Sequence, residues 1–430
     1  MIRQDGLLAP LFPGFLPDGV TYDPGIDQST PPARPDVDEG MLRLAVTTLV
    51  FLKLVVNTAL RFVYPFLPAI ARGLGIDLTQ AGMLVSVRWA SSLATPAVMS
   101  FSGDVHRTRR LVVAGLLMFT TGSVVTAWAG VFVGAVVGFA LAGLAKPMID
   151  IGSQLYVAAR VPYRRRARYL GILELAWAGG LLVGAPAAGW LIDRWSWETP
   201  FWALGSLGLV AVGLALLFLD RHDEAAAGRT AAAPDSPGRQ VILLLATVAL
   251  FGLAHEGVLV TLGGWLEGNF GMTLLALGGV GTLLGLSELA GEGAMVAFTD
   301  RLGKRNALAL GLGMGGVSLL ALSFLSETLI PAIAALAIAT VAMEFGFISV
   351  IPLMTELRPR GRTRILALSV VANGVGRMAG DFISPRLFAA GGMQVVTIVS
   401  GGVVLLAVIL ILSGVKEVSS AERARAGTES

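Results

Sequence analysis

Long apolar runs separated by short polar connections fill most of the chain. They cover residues 43–70, 80–102, 109–127, 131–158, 168–191 and 199–219, then 240–264, 273–298, 306–326, 330–355, 364–388 and 393–415. Each is long enough to cross roughly 30 Å of hydrocarbon as an α-helix. A bilayer demands that form, because every backbone N–H and C=O has to be satisfied inside the segment. The pattern predicts an all-α membrane protein with twelve transmembrane helices.

One polar interval is longer than the rest. Asp220–Gln240 reads DRHDEAAAGRTAAAPDSPGRQ, and its Ala, Gly, Pro and charge suit a linker. It divides the chain into an N-terminal six-helix bundle (41–219), a linker (220–239) and a C-terminal six-helix bundle (240–415), with a tail at 416–430. Two equal halves predict pseudo-symmetric bundles with a substrate site where they meet. Residues 1–40, rich in Pro, Gly and Asp, predict a mostly disordered tail and no cleavable signal peptide.

Composition supports the bilayer as solvent. Charged residues make up 14% of the 430 residues, and mean hydropathy is +0.75; a soluble domain carries about 25% charge. The chain has no cysteine, which excludes disulfides and thiolate metal sites. Lys and Arg then fix orientation. The even-to-odd connections and the linker hold 18 of them, against 3 (Arg72, Arg194, Arg386) on the other side. The linker and both termini are therefore expected in the cytoplasm, at the cell membrane. Anionic lipid accounts for bases placed this way, so the basic pI implies no nucleic-acid partner.

The connection after the eighth run, TDRLGKRNAL (Thr299–Leu308), gathers Asp300, Arg301, Gly303, Lys304 and Arg305. The matching place in the first half, SGDVHRTRRL (Ser102–Leu111), holds Asp104 with Arg109 and Arg110, which stand for Lys304 and Arg305. This pattern resembles the signature loop of the major facilitator superfamily, Gly-x-x-x-Asp-Arg-x-Gly-Arg-Arg, after helices 2 and 8. Val296 and Ser100 replace its leading glycine, and Val105 its first base. The resemblance implies a conformational latch between two halves. In the fifth run, GGLLVGAPAAGW, residues Gly180, Gly184, Pro186 and Gly189 resemble the glycine–proline motif of the family's drug and metabolite efflux (antiporter) branch. Small residues there allow close helix approach, and the proline bends the helix.

Ionisable residues at membrane depth are costly and mark function or pairing. Arg61, Arg88, Lys146, Asp150, Glu174, His255, Glu256, Glu288, Glu292, Glu344, Arg377 and Asp381 all fall inside apolar runs. The spacing of four allows Lys146–Asp150 and Arg377–Asp381 to pair structurally. Alternatively, Glu256, Glu288 and Glu344 carry protons, since a carboxyl in low dielectric can hold one near neutral pH. Arg61 and Arg88 could meet an anionic solute, and His255 could relay a proton. Three scattered histidines offer no metal cluster, and neither a nucleophile elbow nor an ATP-binding Gly-x-x-x-x-Gly-Lys loop occurs. We therefore expect a transporter without cofactor or metal, not an enzyme. It would move a small organic solute by alternating access as proton-coupled efflux, or alternatively as a sugar or metabolite symporter or uniporter. One chain completes the cavity, so a monomer suffices.

Overall fold

In the computed structural model, residues 39–102, 108–220, 238–357 and 362–415 are described; side chains at 96–102, 163–164, 167, 355–357 and 362–364 are not. All elements there are helices. The first half contains α1 (Glu39–Arg61), α2 (Val63–Leu74), α3 (Leu78–Ser102), α4 (Thr108–Ala129), α5 (Phe132–Arg160), α6 (Tyr163–Leu182), α7 (Gly184–Arg194) and α8 (Thr199–Phe218). The second contains α9 (Arg239–Phe270), α10 (Leu274–Leu302), α11 (Lys304–Leu325), α12 (Leu329–Ile348), α13 (Val350–Leu357) and α14 (Arg362–Gly414). The expected tails, most of the linker and Asp104 lie outside the described residues.

Prolines set the breaks. A proline lacks the N–H that would bond the carbonyl four residues earlier, and its ring crowds that carbonyl. α1 ends at Arg61, four before Pro65; α6 ends at Leu182, four before Pro186; α12 ends at Ile348, four before Pro352. The first break bends α1 and α2 by 56°. At the second, the freed Leu182 carbonyl accepts a hydrogen bond from Thr282 Oγ1 of α10 at 3.1 Å.

Nine helical stretches among the described residues are long and apolar enough to cross a membrane, or ten with the bent α1–α2 pair as one span. Two features separate this from the twelve expected. α3 has the length, 25 residues, but Gln80, Arg88, Ser91 and Ser92 dilute its apolarity. The runs 364–388 and 393–415 continue into one another as α14, with non-helical backbone at Gly391 and Gly392, where φ reaches 66° at Gly392.

Packing repeats between the halves. α4 packs on α5 and α8 as α11 packs on α12 and α14, and α3 packs on α5 as α10 packs on α12. α3 also meets α14, while α10 meets α6 and α7. Local geometry repeats at one sequence spacing. Gly75 (φ 65°) closes α2 and Gly271 (φ 62°) closes α9. Arg109 Nη2 donates to the Leu216 carbonyl at 2.5 Å, and Arg305 Nη2 donates to the Leu412 carbonyl at 2.8 Å, each contact spanning 107 residues. A different interval, 196 residues, separates Gly75 from Gly271, Arg109 from Arg305 and Leu216 from Leu412. Arg109 therefore corresponds to Arg305, one residue away from the alignment expected with Lys304, and Arg110 corresponds to Asn306.

Candidate functional site

The intramembrane charges converge from both halves. α1 presents Lys53, Asn57 and Arg61 along one face at a spacing of four, all buried. Arg61, the last residue before the α1–α2 break, meets Glu288 of α10 through both guanidinium nitrogens. Nη1 donates to Oε2 at 2.7 Å and Nη2 donates to Oε1. Nη1 also donates to the Trp177 carbonyl at 3.0 Å, and the guanidinium lies 4.4 Å from the Trp177 ring centroid. This two-pronged geometry is the strong form of the Arg–carboxylate bond.

Glu256 of α9 is fully buried and collects donors from three other helices. The Tyr64 hydroxyl donates to Oε1 at 2.5 Å, Trp89 Nε1 donates at 3.0 Å, and Arg377 Nη1 donates to both oxygens at 3.2 Å. His255 Nδ1 lies 3.5 Å from Oε2. Arg88 completes the ring: Nη1 donates to the Leu60 carbonyl at 2.5 Å and Nη2 donates to the Tyr64 hydroxyl at 2.6 Å.

A third cluster sits between α1, α5 and α6. Lys146 pairs with Asp150, as the spacing of four predicts. Lys53 adds itself, 3.3 Å from Asp150 and 3.0 Å from Glu174. Sequence reasoning missed Lys53, although it lies four residues before Asn57 on the face that carries Arg61. It also missed Trp177, which nothing but its position in an apolar run distinguishes.

The expected Arg377–Asp381 pair does not form. Arg377 turns to Glu256 on α9 and receives further support from Asn373, whose Oδ1 accepts from Nε at 3.4 Å. Asp381 is fully buried, and neither of its oxygens has a hydrogen-bond partner. Close packing of α9 on α14 decides this: a Cβ at Gly376 would collide with the Ala249 carbonyl.

His255, Glu288 and Glu344 bring one nitrogen or oxygen each within 4.8 Å of one another, all buried. Such a grouping can share a proton or hold one small cation, although the sequence offered no metal cluster. Asp150, Glu174, His255, Glu288, Glu292, Glu344 and Asp381 all stay outside the cavity wall. Of the remaining expected residues, Gly180 and Gly184 face Asn57 and Thr58 of α1, Gly189 faces Phe66 and the Leu274 carbonyl, and Pro186 meets Gly278 of α10. Gly303 carries φ 80° between α10 and α11, with Asp300 and Arg301 just before it and Lys304 just after.

Side chains of the first two clusters, with Lys146 of the third, line a cavity of about 40 Å³. Its wall holds four cations, Arg61, Arg88, Lys146 and Arg377, and one carboxylate, Glu256. Tyr64, Trp89 and Trp177 supply aromatic surface. The arrangement can hold a polar solute at membrane depth, and a bound acceptor would compete with the carboxylates for their guanidinium partners.

The family model described as Major Facilitator Superfamily matches residues 49–356 and 244–429. An uncharacterized MFS-type transporter of Bacillus subtilis (strain 168), YwfA, is 23% identical over 399 residues, which span 89% of this chain and 94% of that protein. Among solved structures, a D-xylose-proton symporter superposes with a TM-score of 0.71 at 14% identity, covering 87% of this chain and 98% of its own. A peptide transporter, POT, in complex with sulfate gives 0.71 at 14% identity, covering 86% and 94%. At that identity the likeness is one of fold.

Proposed function

We propose, for a chain that belongs to the Major Facilitator Superfamily, that it carries a small organic solute across the cell membrane by alternating access, with protons travelling in the same direction. The Arg61–Glu288 pair carries this proposal, because it joins a helix of the first half to one of the second, with Arg61 in the cavity wall and Glu288 behind it. A solute that accepts from Arg61 takes donors away from Glu288. Glu288 is then left beside Glu344 without its counter-charge. An uncompensated buried carboxylate is costly, and a proton removes the cost. Solute and proton thus favour each other's binding, the requirement for symport.

In this scheme the bundles 41–219 and 240–415 rock about the cavity. The glycines at 180, 184 and 189 form the close seam on α1 and α10, and the loop at Asp300–Arg305 acts as the latch. The basic connections place both termini in the cytoplasm. Efflux by proton exchange draws support from the helix-5 resemblance, but it would require solute and proton to oppose each other at Glu288.

Proteoliposomes loaded with a pH-sensitive dye and offered pools of small organic solutes test the scheme. Solute addition should acidify the interior in the wild type and not in Glu288→Gln. Alkalinisation of the interior would establish exchange, and solute entry without proton movement would establish uniport; either would overturn symport.

A further inference from the structure

His255, Glu288 and Glu344 approach one another from α9, α10 and α12, and they are 7%, 1% and 7% exposed. Close packing delivers Glu344: a Cβ at Gly291, one turn beyond Glu288, would meet the Val341 carbonyl at 2.7 Å and the Glu344 Cβ at 2.8 Å. The His255 ring is held in one plane. Phe251 stacks on it at 5.3 Å, and Phe347 stacks on Phe251 at 4.1 Å. His255 Nδ1 is buried without a hydrogen-bond partner and lies 3.5 Å from Glu256 Oε2. A metal-binding histidine is ordinarily oriented this way, with one nitrogen on the ion and the other towards a carboxylate.

Charge points to the same place. The buried centre holds four acids, Glu256, Glu288, Glu344 and Asp381, against three guanidiniums, Arg61, Arg88 and Arg377. Lys53 and Lys146 answer Glu174 and Asp150 in their own cluster. Glu292 is half-buried within electrostatic reach of Glu288 and Glu344, and makes a fifth acid. Five acids against three guanidiniums, all ionised, leave room for the charge of one divalent cation. Arg61 does not exclude it, because each oxygen of Glu288 offers two lone pairs and the guanidinium uses one.

We infer that His255, Glu288 and Glu344 form a binding site for one divalent transition-metal ion of the zinc class. The imidazole selects such an ion over Mg²⁺ and Ca²⁺, which take oxygen ligands. Bonds of roughly 2.0–2.2 Å to one nitrogen and two oxygens keep the ligand atoms within about 4.4 Å of one another. Here they lie within 4.8 Å, and the broad terminal torsion of each glutamate closes the difference. Three protein ligands and a water leave the ion exchangeable. Bound there, it takes the carboxylates that carry the proton in the transport scheme, so zinc blocks proton movement. The blockade rests on the transport reading; the binding does not.

Purified full-length protein without a histidine tag, stripped with EDTA and titrated with Co²⁺, tests the site through the visible d–d absorption of cobalt. A single equivalent should raise the absorption, Zn²⁺ should remove it, and Mg²⁺ should leave it. His255→Gln and Glu344→Gln should each weaken Co²⁺ binding by at least about tenfold, the loss that removing even an outer partner brings. His106→Gln with His222→Gln removes the other histidines and should bind as the wild type does. Should His255→Gln fail to fold, Glu344→Asp replaces it; this variant keeps the charge, withdraws the oxygens by one methylene and should weaken binding likewise. A wild type without the absorption, undiminished binding by a site variant, or loss of binding in the His106 and His222 double variant would overturn the site. In proteoliposomes, Zn²⁺ should suppress solute-driven proton entry. Zinc that binds while proton entry continues undiminished overturns the blockade; a wild type that binds zinc but carries no solute sinks the transport reading and leaves the metal site.

Discussion

Arg61 and Glu288 meet end to end, each side chain 2% exposed, and tie α1 to α10. Removing one partner of such a pair strands the other. Glu288→Gln or Arg61→Met alone should each cost about 3–5 kcal/mol, whereas the double replacement Arg61→Met with Glu288→Leu should regain most of it. Thermal unfolding of the purified variants measures this. The double variant should stay inactive in proteoliposomes. Additive single losses would show that the two side chains are not coupled.

Tyr64 links two charges through one oxygen, accepting from Arg88 and donating to Glu256. Tyr64→Phe leaves both neighbours short of a partner at a cost of roughly 1–3 kcal/mol. Trp89→Phe removes a single bond to Glu256 and should cost less. The order of melting temperatures, with Tyr64→Phe the lower, checks this; the reverse order would remove Tyr64 from its bridging role.

Gly75 and Gly271 share a left-handed backbone, and a Cβ at either would meet nothing within 4 Å. Alanine there carries backbone strain alone, about 1–2 kcal/mol. The two substitutions should therefore lower stability equally. Gly143→Ala should act differently, pushing α3 from α5 and reducing solute binding more than stability.

Much of the architecture is legible from the hydrophobic runs, because a bilayer leaves the backbone little choice. Three breaks coincide with a proline four residues on, but Pro68, Pro147 and Pro385 lie inside continuous helices, so proline alone does not locate a break. Pairing is not legible in the sequence. Arg377 and Asp381 share a helical face, but packing of α9 on α14 delivers Glu256 to Arg377 instead. Glu256 draws partners from α2, α3 and α14, a set that no spacing along one helix encodes. Lys53 escaped notice because an apolar run with one lysine looks like a helix end until Asp150 and Glu174 arrive from other elements.

Thr282 and Pro186 offer a compensation test. Thr282→Val strips the Leu182 carbonyl of its partner, costing about 1 kcal/mol. Pro186→Ala restores a backbone N–H four residues downstream of that carbonyl. The double variant should melt above Thr282→Val alone. In addition, its straightened α6–α7 should slow solute flux. A double variant no more stable than Thr282→Val would show that the carbonyl is served some other way.

The 227 residues between Arg61 and Glu288 also set a clock. At about 5–20 residues per second, translation delivers Glu288 roughly 10–50 s after Arg61. For that interval α1 has entered the membrane with its guanidinium lacking the carboxylate it ends beside. The carbonyl and indole face of Trp177, made much sooner, can shelter it while α10 is still unborn. A nascent chain lacking Trp177 should therefore be more prone to capture by membrane quality-control proteases, even though the finished protein would still have its ion pair.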